Sequence, residues 1–189
     1  MRELALHVLD VLQNSLAAGA TEIMLEITED EAADLLTICV NDNGRGMSPE
    51  MIRRCVDPFW TTRTTRHVGL GLPLFTAAAE RAGGSLEIES GMGQGVRLKA
   101  TFALSHPDRQ PLGDVAGTLS ACLAAPTPPR LRYRHMVSSG EPGAASRSFE
   151  FDTEDLAAEL EDVPLSHPAV QRWLIGFLTE SESALGGCA

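Results

Sequence analysis

The hydrophobic positions at the start of the chain predict a helix followed by a β-hairpin. From Glu3 to about Ala18 the residues are apolar at nearly every helical position, a pattern typical of a helix that is buried on most of its sides. Gly19 predicts the end of that helix. Thr21 to Thr28 then alternates between apolar and polar residues, and Leu35 to Val40 is a second apolar run. These two segments predict the strands of the hairpin.

Glycine-rich turns separate the elements that follow. Ser48 and Pro49 have the residue types that open a short helix. A longer helix is predicted from about Leu70 to Ala82, and the alternating segments from Ser85 to Ser90 and from Val96 to Leu104 predict a second hairpin. This order predicts an α+β fold, a two-layer sandwich in which a mixed, mostly antiparallel sheet is covered by helices on one face.

The sequence after residue 104 has a different texture, so we predict two domains, residues 1–104 and a small α+β extension at 105–189 of unknown role. A helix is predicted from Leu112 to Ala124, strands from Leu131 to Val137 and from Arg147 to Phe151, and a last helix from Pro168. The apolar face of this last helix is expected to be core. It carries Val170, Trp173, Leu174 and Phe177.

Composition limits the classes of function. A net charge of -11 disfavours nucleic acid as a partner. There is no apolar run long enough for a membrane span and no leader pattern, so no membrane association is expected and the cytosol is the expected location. The four cysteines are widely spaced, which indicates neither a disulfide framework nor a zinc site. Lys99 is the only lysine, and this excludes the lysine-containing phosphate loop.

Three segments carry candidate chemistry, and each also has an ordinary structural explanation. Asp10 and Asn14 lie four residues apart on one helical face, either as a solvated polar stripe or as partners of a metal or water. Asp42 to Met47 is a turn in which an aspartate could accept a hydrogen bond from an amine, with Gly44 and Gly46 allowing close approach of a flat ligand. Gly69 to Leu72 opens a helix whose free amides suit phosphate.

Taken in order, these segments resemble the nucleotide-binding motifs of the Bergerat-fold (GHKL) ATPases. Asp10-x-x-x-Asn14-Ser15 looks like the N box, Asp42 to Gly46 like the G1 box, Asp57 to Thr62 like the F box of histidine kinases, and Gly69 to Leu72 like the G2 box. The resemblance covers residues 1 to about 104. It implies the histidine-kinase-like ATPase fold, with ATP and Mg²⁺ as ligands.

The resemblance also assigns roles to individual residues. Asn14 would ligate magnesium, Asp42 would bind the adenine amino group, and Asp10 stands where hydrolysing members have a catalytic glutamate. Because Asp10 is one methylene shorter, hydrolysis is expected to be impaired. The remaining residues expected to line the nucleotide pocket are Gly44, Gly46, Met47, Phe59, Thr61, Thr62, Arg63, Arg66, Gly69, Leu70, Gly71 and Leu72.

Two functions remain open from the sequence. The first is a stand-alone kinase-type module, acting as a histidine or serine kinase on a partner protein, or as a weak ATPase. The second is an ATP-sensing regulatory module with little or no turnover. A conformational ATPase of the chaperone kind is disfavoured because no long transducer domain follows. His7, one turn before Asp10, is expected to be structural rather than a phosphoacceptor. The oligomeric state is not predicted.

Overall fold

The computed structural model describes residues 2–55, 71–140, 145–160 and 163–186. Its elements follow the order that the hydrophobic pattern predicts. They are α1 (Leu4–Ala17), β1 (Glu22–Asp30), β2 (Leu35–Asp42), α2 (Pro49–Cys55), α3 (Gly71–Arg81), β3 (Leu86–Ser90), β4 (Val96–Ala103), α4 (Val115–Leu123), β5 (Arg130–Ser138), β6 (Arg147–Asp152), α5 (Thr153–Leu160) and α6 (Pro168–Leu185).

The six strands form one mixed sheet in the order β3-β4-β2-β1-β5-β6. Neighbouring strands are antiparallel except for β1 and β5, which are parallel. Alternate residues of the central strands, such as Ile23, Leu25 and Ile27 of β1, are buried, while the residues between them are partly exposed. One face of the sheet is therefore covered by helices, and the predicted α+β fold class is confirmed.

The segment after residue 104 adds strands to the same sheet and helices to the same core. Leu119 of α4 and Leu131 of β5 belong to one hydrophobic cluster with Leu4 of α1. The backbone amides of Leu4 and Ala5 donate to the carbonyl oxygens of Pro111 and Leu112, at 3.0 and 2.8 Å, so residues just before α4 cap the start of α1. The division at residue 104 stays a prediction from sequence texture.

The expectation that the apolar face of the last helix is core is wrong for two of its four residues. Val170 and Leu174 are buried, whereas Trp173 is 51% exposed and Phe177 is 38% exposed. The reason is position: α6 contacts β6, which is the edge strand of the sheet formed by the described residues, so the outer side of the helix extends past that sheet. Among the helices of the described ranges, none is long and apolar enough to cross a membrane.

A buried ionic network ties α6 to the sheet. His135 of β5 and Glu29 of β1 are each 2% exposed. The ring nitrogens of His135 lie 2.7 Å from Glu182 Oε2 of α6 and 3.1 Å from Glu29 Oε1, and the Tyr133 hydroxyl donates to Glu182 Oε1 at 2.8 Å. Burial alone would lower the pKa of His135, but hydrogen bonds and charge from Glu182 and Glu29 raise that pKa to about 9.

The network predicts that the fold loses stability as the solution becomes alkaline. Because the pKa of His135 rises from an ordinary value of 6.5 to about 9 on folding, its charged form stabilises the fold by up to about 3 kcal/mol at low pH. That contribution is complete below about pH 6.5 and is lost as the pH rises through 9. Urea unfolding at pH values across this range should show a decline in the free energy of unfolding for the parent but not for His135→Gln. Parallel pH profiles would contradict it.

Candidate functional site

The carboxylate of Asp42, at the end of β2, is held against α1. The Ser15 hydroxyl of α1 donates to Asp42 Oδ2 at 2.6 Å, and the backbone amide of Gly44 donates to Asp42 Oδ1 at 2.9 Å. Ser15 is buried, and Asp42 is half-buried. The carboxylate is thus fixed in orientation by one side chain and one backbone group, with part of its surface still accessible.

The turn after Asp42 is packed between the end of α1 and the turn that joins β3 to β4. Gly44 is buried, and the amide of Arg45 donates to the carbonyl of Ala18 at 3.1 Å. Gly46 has a φ of 66°, and a Cβ there would lie 1.9 Å from the carbonyl oxygen of Gly91. The Asp42-to-Gly46 segment is therefore a closely packed turn that depends on glycine.

Met47 and Ser90 join this turn to the closing hairpin. The amide of Met47 donates to Ser90 Oγ at 2.8 Å, and the Ser90 hydroxyl donates to the carbonyl of Gly95 at 2.6 Å. A hollow of about 460 Å³ opens at this place, within the size range of small-molecule sites. It is lined by Asn41, Asp42, Glu89, Ser90, Gly91, Gln94, Gly95, Val96 and Arg97.

The start of α3 lies against Asp10. A Cβ on Gly71, the first residue of α3, would stand only 2.9 Å from Asp10 Oδ2 and 3.2 Å from Asp10 Cβ. The first turn of a helix presents unpaired amides and the positive end of its dipole. Leu72, the next residue, packs on the core. The structure therefore brings the predicted residue of the first motif next to the predicted helix start of the last.

Asn14 lies one turn beyond Asp10 on α1, and its side chain is exposed. It directly precedes Ser15, which binds Asp42. Along one side of α1, the chain thus presents Asp10 toward α3, then the amide of Asn14, then the contact to the Asp42 turn. The remaining predicted residues lie outside the described ranges and stay predictions. They are Phe59, Thr61, Thr62, Arg63, Arg66, Gly69 and Leu70.

Three residues position the site: Ser15 belongs to the N-box pattern but has no predicted role of its own, and Ser90 and Ala18 are not predicted from the sequence. Ser15 orients the Asp42 carboxylate, Ser90 links Met47 to Gly95, and the carbonyl of Ala18 holds Arg45. Ser15 offers one usable signal, because it adjoins Asn14 in the N-box pattern. Ser90 offers only its place at the end of a strand before a glycine turn.

His7 is part of the core rather than of the site surface. It is 2% exposed, its ring stacks on Phe75 of α3 at a centroid distance of 5.0 Å, and its Nε2 donates to Gln110 Oε1 at 3.2 Å. Burial lowers the pKa of His7, so the ring stays neutral at pH 7. These contacts are those of a structural residue that joins α1 to α3 and to the segment before α4.

Gly95 is expected to be essential to the site for a reason that Gly93 does not share. Both have a φ of 74°, but a Cβ on Gly95 would lie 1.8 Å from the carbonyl oxygen of Asp42, while a Cβ on Gly93 would meet nothing within 4 Å. Gly93→Ala should cost only the backbone strain of about 1 to 2 kcal/mol. Gly95→Ala should be clearly more destabilising and should also displace Asp42. Urea unfolding of both variants measures this, and equal losses would contradict it.

Comparison with known proteins matches the first part of the chain to one family. The sequence model described as histidine kinase-, DNA gyrase B- and HSP90-like ATPase matches residues 2–106. This range contains α1 through β4 and hence every element of the site described above. It ends close to residue 104, where the sequence texture changes.

Several curated relatives are named as sensor proteins or sensor kinases. The chain is 29% identical over 102 residues to a sensor protein of Shewanella frigidimarina, covering 53% of this chain and 16% of that protein. It is 30% identical over 111 residues to the non-motile and phage-resistance protein of Caulobacter vibrioides, covering 54% of this chain and 13% of that protein. It is 40% identical over 58 residues to the sensor protein kinase FleS of Pseudomonas aeruginosa, covering 31% of this chain and 14% of that protein. The chain thus spans about a sixth or less of the length of these relatives.

Proposed function

Because the chain belongs to the family of histidine kinase-, DNA gyrase B- and HSP90-like ATPases, we propose that it binds Mg²⁺-ATP between α1, the Asp42 turn and α3 and acts as a kinase-type module on a partner protein. Family membership makes it an ATP-binding, histidine-kinase-like module. We propose the identity of the site residues, the binding of magnesium and the action on a partner protein.

One observation carries the proposal: two motifs that are remote in sequence both contact α1, the helix that carries the third motif. Ser15 of α1 binds the Asp42 carboxylate at 2.6 Å, and Asp10 of α1 lies against Gly71 at the start of α3. This arrangement places a strand-end carboxylate and a helix start beside the same side of α1, and these are groups that can bind the two ends of a nucleotide.

The groups present fit the parts of Mg²⁺-ATP in turn. Asp42 offers an oriented anionic acceptor for the amino group of adenine. Asn14 offers an oxygen donor, which magnesium prefers. The first turn of α3 offers amides and a dipole for the anionic phosphates. With a single lysine in the chain, backbone amides, magnesium and arginine would carry the phosphate charge.

ATP would supply the phosphoryl group and magnesium would neutralise its charge; the tasks of the chain are to bind, orient and exclude water. Asp42 fixes the adenine end, and α3 fixes the phosphate end. Asp10 lies beside the start of α3. Its carboxylate could orient the partner group that receives the phosphoryl group, by accepting that group's proton, or it could orient a water molecule in the same way. Its short side chain disfavours the water reaction.

A second candidate, an ATP sensor with little turnover, is favoured by the same short side chain of Asp10. The carboxylate of Asp10 is already packed close to Gly71, and it ends one methylene short of the glutamate that hydrolysing members of the family carry. In this alternative the ligand would stabilise one arrangement of α1 and α3, and a partner would recognise that arrangement.

Incubation of the full chain with γ-labelled ATP, with and without purified phosphoacceptor domains, separates these functions. Transfer of label to an added protein supports the kinase, and acid or alkali lability of the label then distinguishes phosphohistidine from phosphoserine. Released phosphate without transfer supports a weak ATPase, and nucleotide binding without either supports the sensor. Asp10→Asn serves as the control, because it should reduce turnover while ATP still binds. Absence of nucleotide binding under all conditions would overturn the proposal.

A further inference from the structure

Four aromatic side chains form a continuous surface at the end of the helical layer. Trp173 and Phe177 of α6 are stacked, with ring centroids 5.2 Å apart and an interplanar angle of 5°. The ring of Phe177 in turn meets Phe149 of β6 edge-on at 5.8 Å and Phe151 at 6.5 Å. We call these four residues the aromatic surface.

The aromatic surface is open to solvent in its outer half. Trp173 is 51% exposed and Phe177 is 38% exposed, while Phe149 and Phe151 below them are half-buried. Because one face of the Trp173 ring stacks on Phe177, its exposure lies on the other face and on the edge. Exposed, mutually stacked aromatic rings of this kind are enriched where proteins bind one another.

The elements around the aromatic surface are acidic. β6, α5 and α6 together hold seven Asp and Glu residues against two Arg. Four of these seven carboxylates pair with basic residues of β5: Asp152 and Glu154 with Arg130, Glu150 with Arg134, and Glu182 with His135. The other three are Asp155, Glu159 and Glu180. Glu180 is exposed and follows Trp173 and Phe177 by seven and three residues, so it lies on the same side of α6. A carboxylate thus flanks the rings.

We propose that the aromatic surface docks a basic amphipathic segment of a partner protein. Apolar side chains of that segment would cover the rings, and an arginine or lysine would lie between the open face of Trp173 and the Glu180 carboxylate. Both contacts favour a cation: the face of an indole ring attracts it through the ring quadrupole, and the carboxylate attracts it by charge. An apolar helix face edged with basic residues presents this combination.

The charge of the chain argues against the other occupants of such a surface. A second copy would bring the same carboxylates into contact, and like charges across an interface disfavour association. A bilayer or a nucleic acid would bring phosphates toward a chain with a net charge of -11. The aromatic surface belongs to β6 and α6 and not to the proposed ATP site, so binding there requires no nucleotide.

Calorimetric titration of the full chain with a synthetic helical peptide tests the inference in the absence of nucleotide. The peptide, of about 18 residues to give five turns, carries leucines on one face and arginines on the other, and a matched peptide carries glutamates instead. The arginine peptide should bind and the glutamate peptide should not. Trp173→Ala should weaken binding by about tenfold or more, as truncation of a central aromatic residue does.

Ile175 provides a matched control on the same helix. It is 40% exposed but lies two residues from Trp173, on the other flank of α6, so Ile175→Ala should leave peptide affinity unchanged.

Glu180→Arg, an exposed substitution that should not perturb folding, should weaken binding and reduce its salt dependence. Equal affinity of the Trp173→Ala and Ile175→Ala variants, or equal binding of both peptides, would overturn the proposal. So would a dimer of the parent chain that Trp173→Ala dissociates in sedimentation. None of these outcomes bears on ATP binding.

Discussion

Replacing Asp42 by asparagine is expected to weaken ATP binding by about a hundredfold, since a charge-assisted hydrogen bond to adenine is lost and a second donor is placed opposite the adenine amine. The fold should lose little. Ser15 Oγ already lies 3.2 Å from the carbonyl of Val11 as well as 2.6 Å from Asp42. Its proton can therefore turn to Val11, and its oxygen can accept from the new amide. Calorimetric titration with ATP measures the first effect, and urea unfolding the second.

The neighbouring residue provides the matched control for Asp42. The Asn43 side chain accepts from the amides of Thr21 and Glu22 and donates to Thr21 Oγ, so it ties the turn to the start of β1. Asn43→Ala should therefore reduce the free energy of unfolding and leave ATP affinity nearly unchanged, which is the reverse of Asp42→Asn. ITP, which lacks the amino group, should bind the parent and Asp42→Asn with similar affinity. Equal protection of parent and Asp42→Asn by ATP in a thermal-shift assay would contradict the adenine role.

Replacing Asn14 by alanine is expected to abolish the gain in ATP affinity that magnesium provides. The amide oxygen would ligate the ion, and its removal leaves magnesium to the phosphates and water alone. We expect ATP affinity in magnesium to fall by about tenfold or more, and affinity in the presence of a chelator to stay the same. Alanine is the best helix former, so α1 should keep its stability. Calorimetric titration with ATP, with and without magnesium, measures both values.

Gln13 is the control for Asn14. It is also exposed on α1, but it precedes Asn14 by one residue and so points about 100° away around the helix. Gln13→Ala should bind Mg²⁺-ATP as the parent does. If Asn14→Ala retains the full magnesium-dependent gain in affinity, Asn14 is not a ligand of the ion.

Hydrophobic periodicity predicts the individual helices and strands, but it does not predict which strands remote in sequence pair with each other. The alternation in residues 21–28 and the run in 35–40 predict β1 and β2 because neighbouring strands joined by a short turn pair with each other. The parallel pairing of β5 with β1 joins Glu22 to Arg130 and Asp30 to Ser138. No local pattern specifies such a pairing, because parallel strands are linked by long crossovers. For this reason the sequence predicts a separate extension, and the sheet continues through it.

The sequence also predicts the burial of individual residues only in part. The face of α6 that carries Val170 and Leu174 also carries Trp173 and Phe177, and helical spacing treats all four alike. Only the position of α6 above the edge strand β6 distinguishes the two buried residues from the two exposed ones. Similarly, Glu29, His135 and Glu182 are more than forty residues apart and form no motif, so their network appears only once the chain is folded.

The motifs of the candidate site are predictable from the sequence because each combines particular residue types with a fixed local spacing. Asp10 and Asn14 share a helix face, and the glycines after Asp42 mark a turn that other side chains would block. What spacing does not give is the contact between them. The hydrogen bond from Ser15 to Asp42 and the packing of Gly71 on Asp10 turn separate motifs into one site, and both contacts span parts of the chain that are remote in sequence.

A crystal structure of the chain with magnesium and a non-hydrolysable ATP analogue tests the central claim most directly. The amino group of adenine should lie within about 3 Å of the Asp42 carboxylate, and a magnesium ion should lie about 2.1 Å from Asn14 Oδ1, with the phosphates toward the start of α3. A nucleotide bound elsewhere on the chain, or seated here with neither Asp42 nor Asn14 in contact with it, would contradict the account.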